Sequence, residues 1–298
     1  MTSTWSLYPD LEIRCAGGVG MCVSLKHRVV IVSARTSHLC SGSSLHVYSL
    51  VDGSWVRQIG SAGSGRGQLS FICGGVCVSP DGDCVLVAES GNNRVQQLRI
   101  ADGSWVRFVG QGVLESPQAV DCNPAVVAVV EGSPRHRVSV LSWVDGSALA
   151  QFGDCGKFKL RGPCGVRLLA NGEVAIVDCV NDRLYVFTVD GNVVAASVKD
   201  EEPCFLRDVL ECASNGSFVL VAHVGYRRVA FCEGGAATKI CDRRGGGDYM
   251  IMGASALAAL PDGGLVVRDD ATIRAFRGLG LRVAWIAACV AATRPEHV

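Results

Sequence analysis

Four acidic residues in this chain are each followed, five or six positions later, by an arginine: Glu89 and Arg94, Glu131 and Arg137, Asp178 and Arg183, Asp269 and Arg274. At that separation a carboxylate and a guanidinium can meet across the mouth of a short hairpin through charge-assisted hydrogen bonds. Two chemistries are open to such a set. Arranged around one centre, carboxylates could ligate a metal ion; each held by its own arginine, they would instead latch a loop, because a paired acid is rarely free to ligate. The arginine that accompanies every acid favours the latch. His223 stands where the other units carry an acid and precedes Tyr226-Arg227-Arg228, which marks a second place where a site could sit. Asp121, Arg207 and Asp208, with Glu211, put charge at or near the first strand of a unit, where the centre of a ring would be lined; Arg207 beside Asp208 offers a ready ion pair. The other histidines show no H-x-H or H-E-x-x-H spacing, so no metal ligand, cofactor or catalytic residue is assigned. Gly60 to Gly74 is rich in glycine but precedes no helix and no Lys-Ser/Thr, which argues against phosphate binding and for a connecting loop.

The elements that would position these residues repeat. Between Gly74 and Gly110 four apolar runs, Val76 to Ser79, Cys84 to Ala88, Arg94 to Ile100 and Trp105 to Val109, are parted by three turn signals, among them Pro80-Asp81-Gly82 and Asp102-Gly103. Proline and glycine supply the fixed and the positive backbone angles of tight hairpins, so the stretch reads as a four-stranded antiparallel meander. The same pattern recurs. Gly53, Gly103, Gly146 and Gly191 lie 50, 43 and 45 residues apart, and Gly172, Gly216 and Gly263 lie 44 and 47 apart. A four-stranded unit at that period predicts an all-β chain, a six-bladed β-propeller of four-stranded antiparallel blades, over residues 1–298 as a single domain. Leu11 to Cys15, within residues 1–16, is expected to close the ring beside Ile273 to Phe276, with residues 287–298 as a C-terminal tail; Leu281 to Ile286 is the alternative closing strand.

The elements GSWVRQIGSAGSGRGQLSF, GGVCVSPDG, VLVAESGNNRVQQL and ADGSWVRFVG resemble NHL repeats: a glycine-rich loop, G-x-V, an acid, N-x-R-V and D-G. The likeness is strongest in units two to four and fades in the fifth and sixth. It implies a propeller of NHL type acting as a binding scaffold, often in ubiquitin ligases or RNA-regulating proteins. No RING-like cysteine spacing or heptad run accompanies it here. Propellers that resemble gluconolactonases and amidating lyases imply a further alternative, metal-dependent hydrolysis or lyase chemistry.

Composition narrows the partners. Lys+Arg and Asp+Glu are equal at 28 each, so no overall field attracts nucleic acid or an anionic membrane. Loops between blades and those joining second to third strands are expected to share one face, where Arg66, Lys157, Arg161, Arg243 and Arg244 are interspersed with acids. Phe158, Tyr249 and Met250 offer apolar anchors there. Such a mixture suits a protein or peptide and lacks the uninterrupted basic track that RNA requires. The expected function is therefore a non-enzymatic protein-interaction platform, with RNA binding as the alternative. The 15 cysteines are odd in number, form no C-x-x-C, and lie mostly in strand-like runs, as Cys22, Cys77, Cys84 and Cys232 do. They read as buried thiols of a reducing, intracellular and cytoplasmic setting. The N-terminus shows no signal-peptide pattern, and the apolar run from Val283 to Ala292 is too short to span a bilayer, so no membrane association is expected.

Overall fold

The computed structural model describes residues 11–14, 20–35, 43–73, 75–156, 158–181 and 183–196, and beyond them the strands spanning 206–211, 218–222, 229–233, 236–241, 256–259, 265–269 and 272–276. Every element among them is a β-strand. The first unit comprises β2 (Met21–Ser24), β3 (Val29–Arg35), β4 (Ser43–Ser49) and β5 (Trp55–Ile59), paired in that order after a short β1 (Leu11–Arg14). Two brief strands, β6 (Ser61–Ala62) and β7 (Gln68–Leu69), extend this sheet within the glycine-rich loop. The second unit is β8 (Val76–Val78), β9 (Cys84–Glu89), β10 (Arg94–Arg99) and β11 (Trp105–Val109). The third is β12 (Pro117–Cys122), β13 (Val126–Glu131), β14 (Arg137–Ser142) and β15 (Ala148–Phe152), followed by the small hairpin of β16 (Asp154–Cys155) and β17 (Phe158–Lys159). The fourth is β18 (Pro163–Leu168), β19 (Val174–Asp178), β20 (Arg183–Phe187) and β21 (Val193–Ala196). Two further antiparallel sheets follow: β22 (Leu206–Glu211), β23 (Phe218–Ala222), β24 (Val229–Glu233) and β25 (Ala236–Cys241), then β26 (Ala256–Ala259), β27 (Leu265–Asp269) and β28 (Thr272–Phe276), with β1 as the outermost strand of the last.

The arrangement is propeller-like. The first strand of each unit lies against the first strands of its neighbours, as β8 does with β2 and β12, and β18 with β12 and β22. Side chains are described throughout four of the sheets, so the packing accounts for four blades where the sequence predicts six. The fifth sheet is described by its backbone pairing alone and the sixth by pairing and a few side chains. It is in these two units that the sequence departs furthest from the repeat.

Second strands carry the core. Val85, Leu86, Val87 and Ala88 of β9 are all fully buried, as are Val174, Ala175, Ile176 and Val177 of β19, because both faces of a blade pack on a neighbour. Each such Val or Leu contributes roughly 1.5–3 kcal/mol through burial. One apolar cluster joins blades one and two, with Ile31, Leu45 and Ile59 against Val85, Val87 and Leu98. A second joins blades two and three through Leu86, Val95 and Val109 against Val127 and Leu141, and a third joins blades three and four. A fourth places Ile13, Val266 and Ile273 against Met21, Val30 and Tyr48, so the sheet built from both ends of the described chain packs on the first blade.

The D-G turns that bound the outer strands share one chemistry. Gly53, Gly103 and Gly146 take positive φ of 75°, 78° and 73°, values that side chains rarely adopt. The preceding Asp52, Asp102 and Asp145 accept a hydrogen bond from the amide of the serine two residues on, at 3.1, 2.8 and 3.0 Å. Those bonds hold the Asp52 and Asp145 carboxyls down at about 2; a side-chain bond from Ser49 is the largest cause for the first, and the Ser147 amide for the second.

Candidate functional site

The acid and arginine of the second blade face each other across a hairpin, Glu89 opposite Arg94. Glu89 is fully buried and Arg94 is 5% exposed. Arg94 Nε donates to Glu89 Oε1 at 2.9 Å, and its two terminal nitrogens donate to the carbonyls of Ser64, Gly65 and Gln68 at 2.8, 3.1 and 3.2 Å. Glu89 also accepts from Asn92 Nδ2, Gln96 Nε2 and the Ser70 amide. The guanidinium carbon lies 4.1 Å from the centre of the Phe108 ring. The whole loop from Ser64 to Ser70 is thereby sewn to the blade that follows it.

The third blade repeats the device with different parts. Arg137 Nε and one terminal nitrogen donate to Glu131 at 2.8 and 3.1 Å, that same nitrogen also reaches the Val113 carbonyl, and the Ser139 hydroxyl and the Glu115 amide donate to the carboxylate. In the fourth blade Asp178 is opposite Arg183 in register, yet the expected ion pair is absent among the described residues. Asp178 instead accepts from the amides of Arg161 and Gly162, each at 2.9 Å, and from the amide and side chain of Asn181. An aspartate is one methylene shorter than a glutamate, which keeps its oxygens near the backbone. The fourth expected pair, Asp269 with Arg274, is described on the arginine side alone. Arg274 stands opposite Val267 and Glu12, and its Nε donates to Glu12 at 3.3 Å; the Asp269 side chain lies outside those described.

The partner common to all three described latches is therefore the loop amide, from Ser70, Glu115 and Arg161, and not the arginine. Each ties the loop between two blades to the start of the next hairpin. Further backbone bonds hold the same two segments together, from Ser90 to Phe71, Gly132 to Ser116 and Cys179 to Gly162, so inter-blade loops and second-to-third-strand hairpins do share one face. Asn92 and Asn181 also hold the acids, donating to Glu89 and to Asp178. Both are the first residue of an N-x-R element, and that asparagine is the signal in the sequence for this role.

The expected face residues are dispersed. The Arg66 guanidinium carbon lies over Trp105, 4.2 Å from the ring centre, so its charge is engaged by the second blade. Phe158 is partly buried: its ring meets Tyr185 edge-on with centres 6.0 Å apart and packs against the core cluster of blades three and four. Arg161 is exposed. Lys157, Arg243, Arg244, Tyr249, Met250 and His223 lie outside the described residues. Exposed charges nearby are paired: Arg135 with Glu115, and Lys159 with Asp154.

On the inner strands, Cys22, Cys77, Asp121 and Arg167 occupy matching places in G-M-C, G-V-C, A-V-D and G-V-R of successive units. Asp121 is 7% exposed, accepts the Leu168 amide at 2.8 Å and lies 3.6 Å from Arg167. Burial nonetheless pushes its carboxyl up, with Arg167 acting in the opposite sense. Arg207 and Asp208 fall in β22, of which only the backbone is described. Cys22 is raised chiefly by burial and then by Cys122, whereas Cys77 is raised first by its hydrogen bond to Cys122 and then by burial. Protonated thiols of that kind are poor nucleophiles. Among the described residues, Cys22, Cys73, Cys77, Cys84, Cys122 and Cys155 are free thiols. No helix among the described residues is long and apolar enough to cross a membrane, and no cluster there of three or more histidine, cysteine or acidic side chains is arranged to hold a metal ion. Comparison with known protein families and with curated proteins found no match for this chain.

Proposed function

We propose that this chain is a six-bladed propeller of NHL type that serves as a non-enzymatic platform for a protein or peptide partner. The observation that carries this reading is the fate of the acids. Glu89, Glu131 and Asp178 are buried and surrounded by three or more donors each, so the residues best suited by type to chemistry are spent in fixing loops. A face of pinned loops is preorganised, and binding to it costs little ordering entropy. The contact between first strands of successive units, including β22 with β26 and β26 with β2, supports a count of six. Local pairing of Arg135 with Glu115 and Lys159 with Asp154 leaves a mosaic of charge, which sets register for a protein better than it tracks a phosphate backbone.

The test is a double charge reversal, Arg161→Glu with Arg243→Glu. Replacing Arg161 leaves its latch amide in place, so the fold is expected to persist by circular dichroism and urea midpoint. A cellular protein co-purifying with the wild type should be lost from the variant. Tight, salt-sensitive binding of labelled single-stranded RNA by the wild type, abolished by the same reversal, would refute the protein-platform reading in favour of an RNA-binding propeller.

A further inference from the structure

Blades two and three meet at two sulfurs. Cys77 in β8 and Cys122 in β12 lie with Sγ atoms 3.6 Å apart, and Cys122 also points to the Val78 carbonyl at 3.4 Å. The strands that carry them are pressed close: a methyl group placed on Gly75 would come within 2.6 Å of the Ala119 Cα. Cys77 is buried in the apolar cluster between the two blades, whereas Cys122 is only half-buried at its margin. Each strand is held by its own sheet, so the two thiols are kept together without either being free to drift.

We propose that Cys77 and Cys122 form a reversible disulfide between blades two and three when the protein meets a hydroperoxide. A disulfide needs its sulfurs about 2.05 Å apart, so the gap must close by roughly 1.5 Å, within reach of a rotation at the half-buried Cys122. The more open Cys122 reacts first. Its thiolate attacks one peroxide oxygen, breaking the O–O bond and giving a sulfenic acid while the other oxygen leaves as water or alcohol. The Cys77 thiol, a poor nucleophile towards reagents in solution, is held beside that sulfenic sulfur; as it attacks, hydroxide leaves and takes the Cys77 proton to become water. In balance, two thiols and one hydroperoxide give one disulfide, one water and one water or alcohol; two electrons pass from sulfur to oxygen. Ordinary thiols reverse the step by exchange. Burial of Cys77 protects it from direct oxidation, so the link forms through its neighbour or not at all. Closing it would add a covalent link between the inner strands of two blades otherwise joined by non-covalent contacts, so that this seam responds to oxidant.

The experiment uses the folded full-length chain treated with hydrogen peroxide, blocked with an alkylating agent and digested without reductant. Mass spectrometry should find a peptide pair joined through Cys77 and Cys122, absent after dithiothreitol, while the buried Cys84 is recovered as a thiol. Cys122→Ser should lose the pair and Cys22→Ser should keep it; Cys77→Ala replaces Cys122→Ser should that variant fail to fold. Recovery of Cys77 and Cys122 as separate alkylated or over-oxidised residues would overturn the proposal. So would joining of either to other cysteines in comparable yield.

Discussion

Removing the Arg94 side chain deletes the charged partner of a carboxylate that has no exposure to water. Breaking a buried ion pair from one side costs about 3–5 kcal/mol. Two features move the figure for Arg94→Ala within that range. Glu89 keeps Asn92, Gln96 and the Ser70 amide as donors, which lowers the cost of the stranded charge. Against this, the carbonyls of Ser64, Gly65 and Gln68 lose the guanidinium, but Gly65 keeps the Gln68 amide, Gln68 keeps Gln96 Nε2, and all three are exposed residues where water can replace it. The lower end, about 3 kcal/mol, is therefore expected. In urea, with a slope near 3 kcal/mol/M for a chain of this size, the midpoint should fall by about 1 M at unchanged slope. Arg183→Ala is the matched control, because Asp178 is held by amides and Asn181; its loss should stay within about 0.5 kcal/mol. Equal losses for the two variants, or none for Arg94→Ala, would refute the reasoning that the carboxylate's own partners set the cost.

Deleting residues 1–16 should destabilise the last sheet and the first blade together, because Ile13 is 3% exposed in a cluster shared with Val266, Ile273 and Tyr48; an unchanged urea midpoint would contradict this. Acid should weaken the D-G turns: the Asp145 carboxyl lies at about 2 in the fold against an ordinary 3.8, so its contribution is whole above 3.8 and disappears as the pH falls towards 2. Asp145→Asn keeps an acceptor for Ser147, so the variant should show a shallower fall in urea midpoint over that window. Asp121 has the opposite sign: its raised carboxyl favours the folded state at low pH and costs stability as the pH rises through the folded value. Asp121→Asn should thus raise the urea midpoint at neutral pH relative to its effect at pH 3, and a variant equally affected at both would count against burial as the cause.

The strands and the acids were readable because they repeat. A turn glycine at every 43 to 50 residues and a valine-rich run before each acid specify hairpins locally, and local pattern is what a sequence displays. What depends on the meeting of distant segments was not readable. Arg274 finds Glu12 across 262 positions, and nothing in the run around Asp269 announces it. Asp178 resembles Glu89 in sequence, yet a single missing methylene moves it from an arginine to backbone amides. Arg66 is expected on the face of inter-blade loops and is exposed there, but that Trp105 on β11 lies 4.2 Å from its guanidinium depends on how the loop folds back on the second blade. Cys22 and Cys77 were recognised as strand residues, although the contact of Cys77 with Cys122 depends on how one blade is set against the next.

The pairing of β1 with β28 also fixes an order of events. During synthesis the segment from Leu11 to Arg14 emerges early, and the strand that completes its hydrogen bonds follows only some 262 residues later. At about 5–20 residues per second that interval is roughly 13 to 52 s, long enough for the intervening hairpins to form before β1 and β28 meet. Throughout it, Ile13 has no core to enter and the Met21 and Val30 side of the first blade lacks its cover. The growing chain therefore carries an open apolar flank until β28 is made, and it is open to aggregation through that flank for the whole interval.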